Sequence, residues 1–362
     1  MPVATAAEDS PPVHVAAGEL ERFVGAVLRA AGADAPSTEA TVRALVGASL
    51  RGVDSHGVRL LPHYVKVLQG GRVKGRPEMR FQARAAAVGV LDAGNALGAA
   101  AGYRAMAEAV KLAETAGVGA VSVTNSSHFG AAGAYALAAA EAGYLGLSVC
   151  NSDSAVLAHS GRARFHGTNP ISFAAPVAGE RPYLIDMATS SIPFNRVLLF
   201  KALGRELPPE VVVDTAGQMT RDPGLACSLL PLGGGTYGYK GAALAGMVEV
   251  LSAMLTGMRL SHEIPDMNAS DWSEPRRMGQ FFLALKPEAF LTGEAFAERM
   301  AAYLRALREQ ASLPGERVMA AGDREWAVER QRSAQGIPLD AYNWQVFGTL
   351  AGDCGVAALT PL

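Results

Sequence analysis

Residues 117–150 of the chain read GVGAVSVTNSSHFGAAGAYALAAAEAGYLGLSVC. Within this stretch, Gly119 to Thr124 and Leu145 to Cys150 have the length and residue types of strands, and Ala131 to Ala142 has those of a helix. Upstream, Val88 to Leu91 and Gly98 to Ala116 show the same order of strand and helix. This β-α-β rhythm, with small residues where the elements meet, predicts an α/β fold with helices layered on a sheet.

The pattern of strands and helices continues toward the C-terminus. Further strands are predicted at Ile171 to Ala175, Tyr183 to Asp186 and Gln280 to Leu285, and helices at Tyr239 to Leu255 and Gly293 to Arg308. The longest apolar run, Gly241 to Met258, contains Glu249 and therefore predicts a buried helix rather than a membrane span.

The N-terminal part of the chain has a different, helical pattern. Apolar residues recur at helical spacing in Gly18 to Ala31, in Thr38 to Leu50 with Ser37 as the predicted N-cap, and in Leu60 to Leu68. We therefore predict a flexible tail over residues 1–13 and a helical domain over 14–84, which the helices of residues 323–362 join. An α/β domain is predicted over residues 85–322.

Composition excludes several classes of protein. The chain has 362 residues, 49% of them hydrophobic, which is too apolar for a disordered protein. With 32 Lys and Arg against 34 Asp and Glu there is no basic excess, so no nucleic acid partner is predicted. Three separate cysteines and no C-x-x-C pair predict neither a disulfide framework nor a zinc site. No secretory signal pattern is found at Met1 to Val13, so the cytoplasm is the expected location.

Two histidines lie in polar segments suited to chemistry. In Asp54-Ser55-His56-Gly57, glycine next to the imidazole permits it to project into a cleft, and Ser55 can fix the tautomer that proton transfer requires. His128 follows a predicted strand and precedes a helix, where ligands gather in α/β folds. The alternatives are a polar turn with a capping histidine at position 56 and a core histidine at position 128.

Other local motifs give weaker signals. Lys240 near a predicted helix start calls for a compensating phosphate or carboxylate, unless it simply extends into solvent. Neither G-x-G-x-x-G after a strand, nor a complete P-loop, nor G-x-S-x-G is present, which excludes an ordinary Rossmann domain and a conventional serine hydrolase. The histidine pairs 56/63 and 159/166 lack metal-ligand spacing, so no metal is predicted.

Taken in order, several segments resemble the type 2 malate/L-lactate dehydrogenase family over residues 15 to 340. The matching segments are DSHG at 54–57, NSSHFGAAG at 125–133, GTNP at 167–170, DMATS at 186–190, LPLGG at 230–234, GYKG at 238–241 and MGQ at 278–280. The resemblance implies a mainly β, mixed-sheet NAD(P)-binding domain of non-Rossmann topology, here residues 85–322, flanked by a helical domain. It also implies homodimers with active sites at domain and subunit boundaries.

The resemblance further implies hydride transfer between NAD or NADP, with no preference assigned, and a small 2-hydroxy/2-oxo acid or related carbonyl compound. His56, oriented by Ser55, would exchange the proton. His128 matches a residue that contacts cofactor in some members and does acid/base work in others, and Asp153 falls at a substrate-side position. The implied cofactor-binding residues are His128, Phe129, Gly130, Ala131, Thr168, Asn169, Asp186, Met187, Ala188, Lys240 and Gly241.

Two departures from the family pattern bear on the substrate. Members that act on 2-oxo acids usually have an arginine four residues after the catalytic histidine, where this chain has Leu60. Pyruvate and oxaloacetate are therefore expected to be poor substrates unless another cation, such as Arg59 or Arg196, binds the carboxylate. The family's cyclic imino acid reductases, the alternative function, have an aspartate where Arg196 stands. A catalytically silent cofactor-binding protein is a further alternative.

Overall fold

A computed structural model of the chain describes residues 11–362. The predicted tail therefore lies mostly outside the described residues, and its last residue opens strand β1, Val13–Val15. Three helices follow, α1 at Ala17–Ala30, α2 at Ala35–Leu50 and α3 at Leu61–Gln69. The predicted N-cap of α2 was wrong: the cap is Asp34, whose carboxylate accepts the Ser37 amide proton at 2.9 Å.

The two ends of the chain pack together. Helix α9 at Asp323–Gln335, strand β14 at Ile337–Leu339 and helix α10 at Ala341–Cys354 complete the chain. Strand β14 pairs antiparallel with β1, and the Phe347 ring lies 5.7 Å from that of Phe23 in a shared apolar core. The predicted domain boundaries themselves stay predictions.

A seven-stranded mixed sheet forms the centre of the fold. Its strands are β2 (Arg80–Ala85), β3 (Val88–Asp92), β4 (Val118–Ser126), β5 (Leu145–Cys150), β8 (Ile171–Ala175), β9 (Tyr183–Met187) and β13 (Met278–Leu285). Their order is β2-β3-β4-β13-β5-β8-β9. The β3–β4 pair is parallel and the other pairs are antiparallel, with β13 inserted between β4 and β5. This topology is not that of a Rossmann fold.

Helices α4 (Gly98–Ala116) and α5 (Gly133–Glu141) cover the central sheet. They are rich in alanine and glycine because helix and strand backbones approach closely here. A Cβ at Gly119 of β4 would lie 1.9 Å from the carbonyl oxygen of Ala109, so a larger residue would separate α4 from the sheet.

A second, smaller sheet has five short strands in the order β11-β10-β12-β6-β7. These are β6 (Val156–Leu157), β7 (Arg164–His166), β10 (Val212–Val213), β11 (Met219–Thr220) and β12 (Ser228–Leu229). The remaining helices are α6 (Phe194–Ala202), α7 (Gly234–Glu249) and α8 (Gly293–Arg308). A π-helical turn at Val250–Met254 extends α7. Mixed sheets with a flanking helical layer confirm the predicted fold class.

The prediction that Gly241 to Met258 forms a buried helix was wrong on one face. Met247, Val250, Met254 and Leu255 are exposed to 40, 46, 59 and 60%. Their apolar character reflects a surface that residues 11–362 leave uncovered, rather than a core position. Among residues 11–362, no helix has both the length and the apolar character needed to cross a bilayer.

Candidate active site

His56 lies in a short 3₁₀ turn, Asp54–His56, that follows helix α2. The Ser55 hydroxyl oxygen is 2.8 Å from the His56 Nδ1 atom. The neighbouring Asp54 carboxylate accepts two hydrogen bonds from Arg332 of α9, at 2.6 and 2.9 Å. The Arg332 bonds therefore anchor the turn to helix α9. The Ser55 contact engages the Nδ1 atom of the imidazole, so Nε2 is the ring nitrogen that remains for a substrate.

His128 lies beside His56, in the loop between β4 and α5. The two imidazole rings are stacked, with centroids 5.8 Å apart and an angle of 18° between their planes. The Tyr64 hydroxyl group lies 2.9 Å from the His128 Nδ1 atom. Each histidine thus has its Nδ1 atom engaged by a neighbouring hydroxyl group. The two histidines predicted from separate motifs come together in one site.

Residues that the sequence analysis missed complete this cluster. Tyr64 is buried on α3, and His63 next to it has its ring centroid 6.5 Å from that of His128 and 5.6 Å from that of Trp272. No local pattern indicated Tyr64, because Gly57 is extended and helix α3 begins only at Leu61, so His56 and Tyr64 do not share a helix. Among residues 11–362, no group of three or more His, Cys, Asp or Glu is placed to hold a metal ion.

Burial sets the protonation of these histidines. It lowers the pKa of His56 to about 4, because the protonated ring would lose hydration. Burial also lowers the pKa of His63 to about 4, and the charges of Arg276 and Arg72 act in the same direction. The pKa of His128 falls well below its usual value for the same main reason. All three rings are therefore neutral at pH 7, the form that accepts a proton from an alcohol.

The predicted substrate-side residues separate into two groups. Asp153 forms an ion pair with the buried Arg276 and accepts the Met267 amide proton at 3.0 Å. Its charge acts on His63, which places it near the histidine cluster. Arg59 and Arg196 are exposed, and in the described part of the chain neither contacts the cluster.

Several predicted cofactor-binding residues lie around the loop that carries His128. Phe129 and Ala131 are buried, and Gly130 has a positive φ of 77°. A Cβ at Gly133, where α5 begins, would lie 2.6 Å from a carboxyl oxygen of Asp186, so the loop and the end of β9 are in contact. Burial raises the pKa of Asp186 to about 6, and the Gly133 amide opposes this rise. Beyond Asp186, the Met187 side chain is exposed and Ala188 is half-buried.

The Thr168–Asn169 turn is held from inside the protein. The Asn169 side chain is fully buried and donates to Glu249 Oε1 at 2.9 Å and to the Ala245 carbonyl at 3.2 Å. The Thr168 amide donates to the Ser152 hydroxyl oxygen at 3.1 Å. The side chain of Asn169 is thus occupied by protein contacts, and its backbone carbonyl accepts from the Thr189 hydroxyl group at 3.2 Å.

Helix α7 begins at Gly234, before the predicted start at Tyr239, and Lys240 is therefore in its second turn. The Lys240 side chain is exposed, with Nζ 5.4 Å from the centre of the Tyr237 ring, and Gly241 is buried. The amides of Gly235 and Thr236 donate to the Glu210 carboxylate at 3.1 and 3.4 Å. The protein itself therefore supplies a carboxylate at this helix start.

Two open cavities, of about 330 and 460 Å³, lie away from the histidines. The first is lined by α2 residues with Tyr103 of α4, and the second by residues around Trp326. None of the predicted site residues lines either one. We therefore locate the site by the chemistry of the histidine cluster rather than by cavity size.

Comparison with known proteins identifies the family. The family model described as malate/L-lactate dehydrogenase matches residues 15–347. Malate dehydrogenase from Pyrococcus abyssi is 34% identical, over 96% of both chains. Ureidoglycolate dehydrogenase (NAD(+)) from Escherichia coli strain K12 is 31% identical over 84% of this chain and 87% of its own. (2R)-3-sulfolactate dehydrogenase (NADP(+)) from Chromohalobacter salexigens is 34% identical over 87% and 91%.

Solved structures of related proteins have the same fold as this chain. Malate dehydrogenase from Pyrococcus horikoshii OT3 has a TM-score of 0.88 at 32% identity and covers 97% of this chain and 98% of its own. Delta1-piperideine-2-carboxylate reductase from Pseudomonas syringae has a TM-score of 0.83 at 30% identity, over 93% and 99%. These proteins define an oxidoreductase class with this mixed-sheet fold. The chain belongs to the malate/L-lactate dehydrogenase family, which confirms the resemblance seen in the sequence.

Proposed function

We propose that this chain transfers hydride between NAD or NADP and a 2-hydroxy/2-oxo acid or related carbonyl compound. The observation that carries the proposal is the stacked pair of neutral imidazoles, His56 and His128, each with Nδ1 engaged by a hydroxyl group. The names of the relatives support it, since they include one NAD(+)-dependent and one NADP(+)-dependent dehydrogenase.

The loop that carries His128 packs against the segments of His56 and Tyr64. A Cβ at Gly130 would lie 3.8 Å, an ordinary van der Waals contact, from the His56 carbonyl oxygen and the Tyr64 hydroxyl oxygen. The 128–133 loop and Asp186–Ala188 are the segments that would hold the cofactor, together with residues 168–169 and Lys240–Gly241.

The chain's own side chains carry out the proton transfer. When bound, the nicotinamide supplies or accepts the hydride. His56, with Nδ1 directed at Ser55, accepts the hydroxyl proton of the substrate at Nε2 during oxidation and returns it during reduction. Tyr64 holds the His128 ring in its orientation, so that His128 presents Nε2 to the bound molecules.

Reduction of cyclic imino acids is the second candidate. A relative named delta1-piperideine-2-carboxylate reductase shares the fold and 30% of the sequence. Arg196, at the position where such reductases are expected to have an aspartate, is an exposed residue of α6. A cation there cannot hold a protonated imine, so we rank this function second.

A spectrophotometric screen separates these functions. We expect the purified chain to oxidise NADH or NADPH with at least one 2-oxo acid, in a panel that also contains non-acid ketones and cyclic imines. His56→Gln in the same assay is the control for contaminating activity. Oxidation with imines alone would favour the second function. Cofactor binding without turnover of any compound would favour a silent binding protein.

We also propose a homodimer. An apolar strip at the end of α7, formed by Met247, Val250, Met254 and Leu255, is uncovered in the single chain, and a second copy of the same surface would bury it. Light scattering after gel filtration should give about twice the 37.6 kDa of one chain. Met254→Glu should give monomers, whereas Leu313→Glu, at an exposed site outside the strip, should not. A monomeric wild-type chain would contradict the proposal.

A cytoplasmic location is proposed as well. The three cysteines of the chain, Cys150, Cys227 and Cys354, are all free thiols. Free thiols persist in a reducing compartment, which supports this location. Fractionation of cells followed by immunodetection of the chain would test it.

A further inference from the structure

Two arginines are buried next to the histidine cluster. Arg72 and Arg276 are each 1% exposed, which is rare for arginine without a full set of partners. Asp153 pairs with Arg276, while Arg72 donates to the backbone carbonyls of Met267 and Asp271. Asp153 thus compensates one of the two buried guanidinium charges, whereas the hydrogen-bond partners of Arg72 are neutral carbonyl groups.

Two further carboxylates lie near Arg72. The Asp271 carboxylate is exposed and accepts the hydroxyl and amide protons of Ser273. Glu274 is paired with Arg259 at 2.7 Å. Their negative charges still act on Arg72, but in the described residues neither carboxylate accepts a hydrogen bond from Arg276.

Within residues 11–362, three buried donors or acceptors at this place have no protein partner. They are Arg276 Nη1, Arg72 Nε and His63 Nδ1. Arg276 is otherwise bonded, with Nε donating to the Pro265 carbonyl at 3.1 Å and Nη2 donating to Asp153. A buried guanidinium N–H without an acceptor is costly, so a ligand or solvent atom is expected there.

Direct contacts connect the unpartnered groups to the histidine cluster. The His63 ring is 6.5 Å from the His128 ring and 5.6 Å from the Trp272 ring, centroid to centroid, and the Arg72 guanidinium lies 4.8 Å from the centre of the Trp272 ring. Arg72 and Arg276 meet at Met267, whose carbonyl accepts from Arg72 and whose amide donates to Asp153, the ion-pair partner of Arg276. The unpartnered N–H group of Arg276 thus belongs to the same cluster of side chains as the histidines, and its positive charge contributes to the lowered pKa of His63 and His128.

We propose that Arg276 binds the carboxylate of the substrate through Nη1, with His63 as its polar neighbour, and so replaces the arginine for which this chain has Leu60. This inference rests on the proposed function. It also explains why the exposed Arg59 and Arg196 are not needed for anion binding.

Binding of a matched pair of ligands tests the role of Arg276 without any need for turnover. Oxamate has a carboxylate beside a carbonyl group, and oxamide is its neutral counterpart. With saturating NADH or NADPH, whichever the chain binds more tightly, the wild-type chain should bind oxamate. Arg276→Gln should weaken oxamate binding by ~10²-fold and leave oxamide binding within about twofold. Arg276→Lys should give an intermediate loss.

Controls separate ligand binding from a structural role. Arg276 also fixes the 265–267 backbone, so cofactor affinity and the thermal midpoint of Arg276→Gln are measured alongside. Arg80→Gln, at a fully solvated arginine of β2, removes one charge of the same kind and should change neither ligand by more than about twofold. Equal weakening of oxamate and oxamide in Arg276→Gln would overturn the proposal.

Two further results would overturn the role of Arg276. They are unchanged oxamate binding in Arg276→Gln and no oxamate binding by the wild-type chain. Failure of the proposed function is a separate result, namely that no 2-oxo acid is turned over in the substrate screen.

Discussion

Replacing His56 with glutamine is expected to lower kcat by ~10²–10⁴ while leaving cofactor affinity within about twofold. Glutamine retains a polar group that can contact Ser55, but it cannot exchange a proton near neutral pH. Steady-state kinetics in both directions give kcat, and a fluorescence titration with NADH or NADPH gives the affinity. Because the imidazole is assigned to proton transfer and not to cofactor binding, the two quantities should separate.

The pH dependence supplies a second signature of the same residue. Burial lowers the pKa of His56 to about 4, so the free enzyme contains the neutral ring at all higher pH values. Oxidation uses the neutral ring, and its kcat/KM should fall only as the pH drops toward 4. Reduction uses the protonated ring, and its kcat/KM should fall about tenfold for each pH unit above that pKa. His56→Gln should remove both dependences.

The control is Ser55→Ala, which leaves the imidazole in place but removes the group that orients it. We expect a smaller loss of kcat, about tenfold, with the same pH dependence. Turnover of His56→Gln near the wild-type level would show that the assignment is wrong. His128, stacked on His56 at 5.8 Å, would then be the residue to test for proton transfer.

Elements with local patterns were predicted well. Strands β5 and β8 and helices α4 and α8 have the bounds that periodicity indicated, because each carries its own apolar pattern and its own end signals. Strands β1 and β14 were missed. They have three residues each and exist because two ends of the chain pair, which no local window reveals.

The same difference between local patterns and long-range contacts applies to the residues of the site. His56 and His128 stand in short polar motifs at element ends, so their types and neighbours were informative without a structure. The partner of Arg276 is Asp153, 123 residues earlier in the chain, and the partner of Tyr64 is His128, 64 residues later. Contacts of that separation depend on sheet order, and in particular on the insertion of β13 between β4 and β5.

Replacing Glu249 with alanine is expected to lower the free energy of unfolding by about 3–5 kcal/mol. This carboxyl group, 4% exposed at the end of α7, accepts from the side chains of Asn169 at 2.9 Å and Asn151 at 3.3 Å. It also accepts from the amide of Ser261, at 3.3 Å, and from its hydroxyl group. Removing the carboxyl group leaves the Ser261 amide and one N–H of each asparagine side chain buried without an acceptor, which costs more than the bonds themselves contribute.

Urea unfolding measures this loss of stability as a shift in the transition midpoint at an unchanged m-value. Repeating the titration at several protein concentrations separates unfolding of the chain from dissociation of a dimer. Glu108→Ala is the matched control. Glu108 is 6% exposed, but its partners Arg104 and Lys111 are solvent-exposed and regain hydration, so about 1 kcal/mol is expected. Glu249→Gln retains one acceptor and should fall between the two variants.

The loss in Glu249→Ala should also affect the proposed cofactor site. Asn169 stands next to Thr168, and its side chain is held by Glu249 and by the Ala245 carbonyl. When that support is lost, the turn at 168–169 is free to move, and cofactor affinity should decrease at temperatures where the variant is still folded. If Glu249→Ala is as stable as Glu108→Ala, solvent reaches these donors and the expected loss is wrong. The turn is then held by its own backbone bonds, such as that from the Thr189 amide to the Thr168 carbonyl at 2.9 Å.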